Sequence, residues 1–148
     1  TYNLSIGQSM LVTPLAVLRY VSAIALDGRI PKFKILKDES GEPDLETAID
    51  IPASYFKIVK EGMRRAVLEG TAQAMSGVGV DVAGKTGTAE LGNGRVHSWF
   101  IGFMPYENPK IAIVVVLENG NEKNLVGAPA ASREAVVWMA REIPEYFK

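Results

Sequence analysis

The sequence predicts an α+β fold, an antiparallel sheet in the form of a three-strand meander packed with helices. Three observations carry this reading. Apolar residues recur at three- and four-residue steps in two segments of the first half of the chain. Three extended apolar segments then follow one another over residues 80–118, with turn signals between them. A further helical stretch closes the chain. The links between the strand candidates are short, which makes them antiparallel neighbours, because a parallel crossover needs about a dozen residues or more.

In order, Thr13-Pro14 is a helix-start signal, a capping hydroxyl followed by a proline suited to the first turn. The helix expected over residues 14–26 is apolar on more than one face and is read as buried between layers. Asp27-Gly28 stops it. Residues 33–36 and 47–51 are short extended pieces around the polar stretch 38–44, a two-stranded surface excursion. A second helix begins near Pro52, with Phe56, Val59, Met63 and Val67 on one stripe, and runs to Gly70. Residues 70–79 are small and read as a loop. Strands follow at 80–91, 96–104 and 110–118, with Gly92-Asn93-Gly94 and residues 105–109 as turns and Asn119-Gly120-Asn121 closing the meander. The last helix, 129–147, turns Ala135, Met139 and Ile143 toward the sheet.

Composition limits the function. A length of 148 residues fits one domain, and 47% apolar with 22% charged residues is ordinary for a globular chain. A net charge of -1 argues against nucleic acid or an anionic membrane surface as a partner. With no cysteine and a single histidine, His97, disulfides, thiolate and multi-histidine metal sites and a cysteine nucleophile are excluded, and no cofactor is expected. No run approaches the roughly 18 apolar residues needed to span a bilayer. Thr1 stands where an initiator methionine is expected, so the chain reads as cut from something longer, with any export signal or anchor upstream.

The chemistry concentrates in Ala83-Gly84-Lys85-Thr86-Gly87-Thr88-Ala89-Glu90, a grouping suited to an anion. Residues 79–86 also match G-x-x-x-x-G-K-[ST], the phosphate loop of nucleotide hydrolases. That loop requires a buried strand before it and a helix starting at the lysine. Here small residues precede the motif and a hairpin follows, so the match is a false positive of context. The competing reading is a strand at the edge of a cleft. Its ammonium and hydroxyls, expected on one face, hold a carboxylate, and Gly87 lets a substrate backbone lie close.

Four segments occur in order: Ser5-Ile6-Gly7-Gln8 with Thr13-Pro14-Leu15; the lysine motif; His97-Ser98-Trp99-Phe100-Ile101-Gly102-Phe103 with Pro105; and residues 114–120. With these the chain resembles the penicillin-binding proteins, specifically the transpeptidase domain of the class B type, whose motifs include K-T-G. The resemblance covers nearly the whole chain. It implies a partial penicillin-binding/serine β-lactamase-like transpeptidase fold, with residues 1–148 an incomplete C-terminal portion of the domain. It also implies serine acyl transfer on the D-Ala-D-Ala end of peptidoglycan stem peptides, β-lactam binding and an extracytoplasmic location. Carried over, Lys85 and Thr88 are the catalytic candidates, the Thr88 N–H serving as an oxyanion donor, and Thr86, Gly87 and Thr88 are the substrate-binding ones.

The family's nucleophile and second motif are not found. S-x-N occurs nowhere, and the single S-x-x-K, Ser54-Tyr55-Phe56-Lys57, reads as the first turn of the second helix. The chain is therefore expected to hold one wall of the site without the nucleophile, to be inactive alone, and to expose an apolar face for the N-terminal half or a swapped copy. A non-catalytic binding or regulatory module of the same fold is the alternative from another class. His97 is expected to be a hydrogen-bonded structural or rim residue, Trp99, Phe100 and Phe103 mainly core with one of them a candidate for the cleft floor, Ser5 and Gln8 structural, and residues 38–44 a solvated turn.

Overall fold

The structure is a computed structural model that describes residues 7, 10–36, 44–123 and 127–148. Ser5, Gln8 and residues 38–43 of the polar turn lie outside the described residues.

The first helix, α1, spans Pro14–Ala25, with the Thr13 hydroxyl accepting from the Ala16 N–H at 3.1 Å and proline in the first turn. It ends where Asp27 and Gly28 take positive φ, and the Gly28 N–H reaches back to the Ala23 carbonyl at 2.8 Å. Gly28 is required there, because a Cβ would stand 2.8 Å from the Phe56 ring. The excursion that follows pairs β1, Arg29–Pro31, antiparallel with β2, Leu45–Ala48. Both strands sit earlier than the sequence indicated. Backbone pairing to the end of α1 sets the register, outweighing the β-propensity of residues 33–36. Asp44 lies between Lys32 and Lys34, at 3.7 and 3.6 Å.

Helix α2, Ala53–Leu68, buries Phe56, Met63 and Val67. Val59 of the expected stripe is exposed. A connection over residues 69–82 contains a 3-10 turn, Gln73–Met75, and delivers the chain to the main sheet. There β3, Ala83–Gly92, β4, Arg95–Met104, and β5, Ile111–Asn121, form the expected antiparallel meander in the order β3-β4-β5. The first strand starts at Ala83 rather than residue 80, and β5 does not stop at Asn119: Gly120 and Asn121 still pair with Val96 and Arg95. A bulge between Val96 and Ser98 absorbs the turn signal, with Asn119 in the left-handed region at φ 56.

Helix α3, Ala128–Glu142, covers one face of the sheet and is followed by a 3-10 turn, Pro144–Phe147, because Pro144 cannot continue it. Its buried stripe is Ala128, Ser132 and Val136, while Ala135 is exposed. Ser132 escaped an apolar count: its hydroxyl is satisfied inside the helix by the Ala128 carbonyl at 2.7 Å. Helix α1 covers the opposite face through Val21, Ile24 and Ala25, packed with Ala83 and Phe103. Its C-terminal end is enclosed, with Ala23 buried on the β1 side, but its N-terminal part carries exposed Leu15 and Tyr20, so the burial between layers that its composition indicated holds for only part of the helix. Helix α2 joins both cores, Met63 on the α1 side and Val67 on the α3 side.

Two features fix where β3 begins. At Gly84 a Cβ would lie 2.5 Å from the Phe100 ring and 2.9 Å from the Ile101 carbonyl, so the strand touches β4 without a side chain between them. Just upstream, the Arg64 guanidinium lies 3.3 Å from the Asp81 carboxylate and 4.5 Å over the Tyr106 ring. The Tyr106 N–H donates to the Asp81 carbonyl at 2.9 Å and its hydroxyl to Glu61 at 3.1 Å. Bonds from Arg65 and Tyr106 hold the Glu61 carboxyl below its ordinary value, and burial together with Glu61 raises the Tyr106 phenol.

Two outcomes follow. Gly84→Ala will destabilise the chain by about 1 to 3 kcal/mol, the range for overpacking a filled core, measured by urea unfolding. Because the Glu61 pKa is depressed in the folded chain, its contribution is present above the unfolded carboxylate pKa and is lost as pH falls through the folded value. Melting curves of Tyr106→Phe should therefore lie below those of the unsubstituted chain at neutral pH and converge with them in acid.

Candidate active-site wall

Among the described residues strand β3 is an edge of its sheet, bonded to β4 along one side only. The ladder sets Lys85 opposite Ile101, Thr86 opposite Phe100, Gly87 opposite Trp99 and Thr88 opposite Ser98. Side chains alternate along a strand, so Lys85, Gly87 and Ala89 share the α1 face with Ile101, Trp99 and His97, while Thr86 and Thr88 lie on the α3 face. The expectation of ammonium and hydroxyls on one face is thereby corrected. The period of two forbids it for adjacent residues, and what they share is the open edge.

A groove of about 590 Å³ is lined by β3 from Lys85 to Leu91 and reaches across the sheet face to Glu118 of β5. His97, Trp99 and Ile101 floor it, Met10, Leu11, Val12, Pro14 and Val17 form the facing wall, and Lys85, Thr86, Gly87 and Thr88 all line it. Lys85 is exposed, and its Nζ donates to the Thr86 carbonyl at 2.6 Å. It also borders a 230 Å³ hollow with Tyr20, Ile24, Val59 and Met63. At Gly87 a Cβ would come within 3.3 Å of the Trp99 Cβ, so the missing side chain leaves the strand flush with the groove floor. On the other face, the Thr86 and Thr71 hydroxyls are 2.8 Å apart.

His97 is the hydrogen-bonded structural residue that was expected: its Nδ1 accepts the Asn119 N–H at 3.0 Å and pins the β5 bulge. Phe100 and Phe103 are fully buried, whereas Trp99 belongs to the groove. Ser54 lies exposed in the first turn of α2, as read. Gly84 and Lys85 are interior to a strand, where a phosphate loop would need a helix N-terminus, and the nucleotide reading is excluded by that geometry. Among the described residues no group of three His, Cys, Asp or Glu side chains is placed to hold a metal ion. Thr71 was missed. It falls in a run of small residues read as loop, and no local pattern marks a residue whose partner lies 15 positions on.

The family model described as "Penicillin binding protein transpeptidase domain" matches residues 1–137. The chain belongs to the penicillin-binding protein transpeptidase family. It is 26% identical to the peptidoglycan D,D-transpeptidase MrdA of Haemophilus influenzae over all of its own length and 27% of that protein's. Penicillin-binding protein 2 of Pseudomonas aeruginosa, solved in complex with WCK 5153, superposes with a TM-score of 0.75 at 30% identity, covering 99% of this chain and 34% of that one. Penicillin-binding protein A of M. tuberculosis, solved as a penicillin G acyl-enzyme complex, superposes with a TM-score of 0.66 at 26% identity, covering 89% and 31%. The chain spans only 20% to 27% of the length of the first curated relatives it matches. The mixed helix and antiparallel-sheet architecture is that of these penicillin-binding proteins.

His97→Ala should leave the Asn119 N–H without its acceptor. Hydrogen exchange at that amide is expected to rise roughly two- to tenfold, the range of one lost hydrogen bond, with amides at the Gly84 end of β3 unchanged.

Proposed function

We propose that this chain is the C-terminal part of a class B transpeptidase domain and supplies one wall of its active site. The reaction is peptidoglycan crosslinking by serine acyl transfer. The observation that carries the reading is the open edge of β3, with Lys85, Thr86, Gly87 and Thr88 all lining one groove. A serine from the remainder of the protein attacks the penultimate D-Ala carbonyl, a lysine base takes the hydroxyl proton and passes it to the leaving nitrogen, and terminal D-alanine departs. An amine of a second stem peptide then takes the acyl group and regenerates the serine.

In this scheme Lys85 sits beside the serine of the S-x-N motif and raises the local positive potential, and Thr86 and Thr88 bond the substrate carboxylate. The bond from Lys85 Nζ to the Thr86 carbonyl supports an outward direction for that carbonyl. Residues two apart on a strand aim their backbone groups alike, so the Thr88 N–H faces the groove as an oxyanion donor. Gly87 lets the substrate backbone approach as an added strand. A β-lactam enters the same acylation and is retained, as in the penicillin G acyl-enzyme of the M. tuberculosis relative.

The partner is the rest of the domain, seated on the apolar outer side of α1. A 630 Å³ depression lined by Leu15, Tyr20, Phe33 and Ile49 is open there, next to the hollow at Lys85. A swapped second copy is the other occupant that a sizing experiment would reveal. No described helix is long and apolar enough to cross a membrane. The proposed location is the extracytoplasmic face of the cell membrane, held by an anchor outside this chain.

A fluorescent penicillin separates the outcomes. The complete protein will be labelled and the isolated 148-residue chain will not. In the complete protein Lys85→Ala should slow labelling on the order of a hundredfold, the scale of losing a preorganised electrostatic contact, with its melting temperature unchanged. Labelling of the isolated chain would move the nucleophile into it, to Ser54, and overturn the proposal.

A further inference from the structure

The 14-residue connection from α2 to β3, residues 69–82, is tied down far more than its small residues indicate. At its start a Cβ on Gly70 would lie 2.8 Å from the Ala66 Cα, so glycine lets the chain fold flat over the end of α2. The Ala72 N–H donates to the Ala66 carbonyl at 2.9 Å, and Ala72 is fully buried. Further along, the Arg133 guanidinium of α3 donates to the carbonyls of Ala74 and Ser76 at 2.8 and 2.7 Å. Thr71 therefore stands between two fixed neighbours, Gly70 and Ala72. From there its hydroxyl meets that of Thr86, 2.8 Å away, across the face of β3 turned from Lys85.

We infer that Thr71 is a positioning residue for Thr86, fixing the direction in which the Thr86 hydroxyl donates. The inference rests on the transpeptidase reading, in which Thr86 meets the substrate carboxylate. A hydroxyl has one proton to give, and a carboxylate only accepts. If the Thr86 proton goes to the carboxylate, the bond between the two threonines must run from the Thr71 O–H to Thr86 Oγ1. The result is a two-step relay: Thr71 donates to Thr86, and Thr86 donates to the substrate. Each bond polarises the next, and the Thr86 rotamer is held before substrate arrives. Thr71 touches no substrate atom in this arrangement and acts only through Thr86.

The test is acylation of the complete protein by penicillin G and by its methyl ester, in which the carboxylate is neutralised. Thr71→Val keeps the shape of the side chain and removes its hydroxyl, and Thr71→Ser keeps the hydroxyl. Expected is a roughly two- to tenfold loss of acylation efficiency with penicillin G in Thr71→Val, the worth of one hydrogen bond. The methyl ester reaction should lose clearly less, since its neutral carbonyl is a weaker acceptor than a carboxylate, and Thr71→Ser should restore the penicillin G rate. An equal loss with both compounds, or no loss with either, overturns the relay, since a merely structural threonine would not distinguish acid from ester. If Thr71→Val does not fold, Thr71→Ala carries the same comparison. Failure of the unsubstituted protein to acylate at all removes the transpeptidase reading, and the relay with it. Acylation without the acid-ester difference removes the relay alone.

Discussion

A groove lined by a strand edge depends on that strand being held firmly along its other edge. In this chain the burden falls on the contact between β3 and β4, where Gly84 and Gly102 let the backbones meet around the Phe100 ring: a Cβ on Gly102 would lie 2.7 Å from the Ala83 carbonyl. Phe100 is fully buried and anchors the core shared with α3, while Ala83 and Phe103 anchor the core shared with α1. Both cores thus meet at the first residues of β3. From that point the strand runs outward with only one ladder to support it, and its burial falls away from Ala83 toward Gly92.

Local chemistry made much of this legible. The meander was readable because its links are short and glycine-rich, and the motif was placed on a strand because no helix has room after Lys85. Both ends of α1 were readable because Thr13, Pro14, Asp27 and Gly28 act through backbone groups a few residues away. Where sequence reading failed, a distant partner decided. The surface strands shifted because their pairing begins at the end of α1, and the Asn119 turn became a bulge because Val96 and Arg95 still had ladder partners to find. Ser132 sits in the core with its hydroxyl satisfied within its own turn, which a count of apolar residues cannot register.

The site divides in the same way. Lys85, Thr86, Gly87 and Thr88 are contiguous, so one stretch of sequence named them and the fold had only to give them an edge. The rest of the groove comes from α1, the segment before it and the floor strands, brought together by packing alone. Trp99 illustrates the difference: an alternating aromatic strand does not reveal which ring faces a core and which a cleft. The split of ammonium and hydroxyls between opposite faces also has a chemical reading. A ligand lying along the edge is approached from both sides of the sheet, so charge and hydrogen-bond direction are controlled by different layers of the molecule.

The α2–β3 connection is anchored at both ends: Ala72 bonds to α2 at one, Asp81 pairs with Arg64 at the other, and Arg133 pins the middle. Between the last two anchors Gly77 and Gly79 adopt positive φ, and the space where a Gly77 side chain would stand is empty. Slack in the chain is thereby confined to the turn at Gly77, because the neighbouring Val78 is buried in the core shared with α3 and a Gly79 side chain would touch Ala140. Lengthening it costs little, since loop-closure entropy grows only slowly with length. The turn at Gly77, ahead of the buried Val78, is where the molecule can accept extra residues, an epitope or a reporter tag while β3 keeps its register.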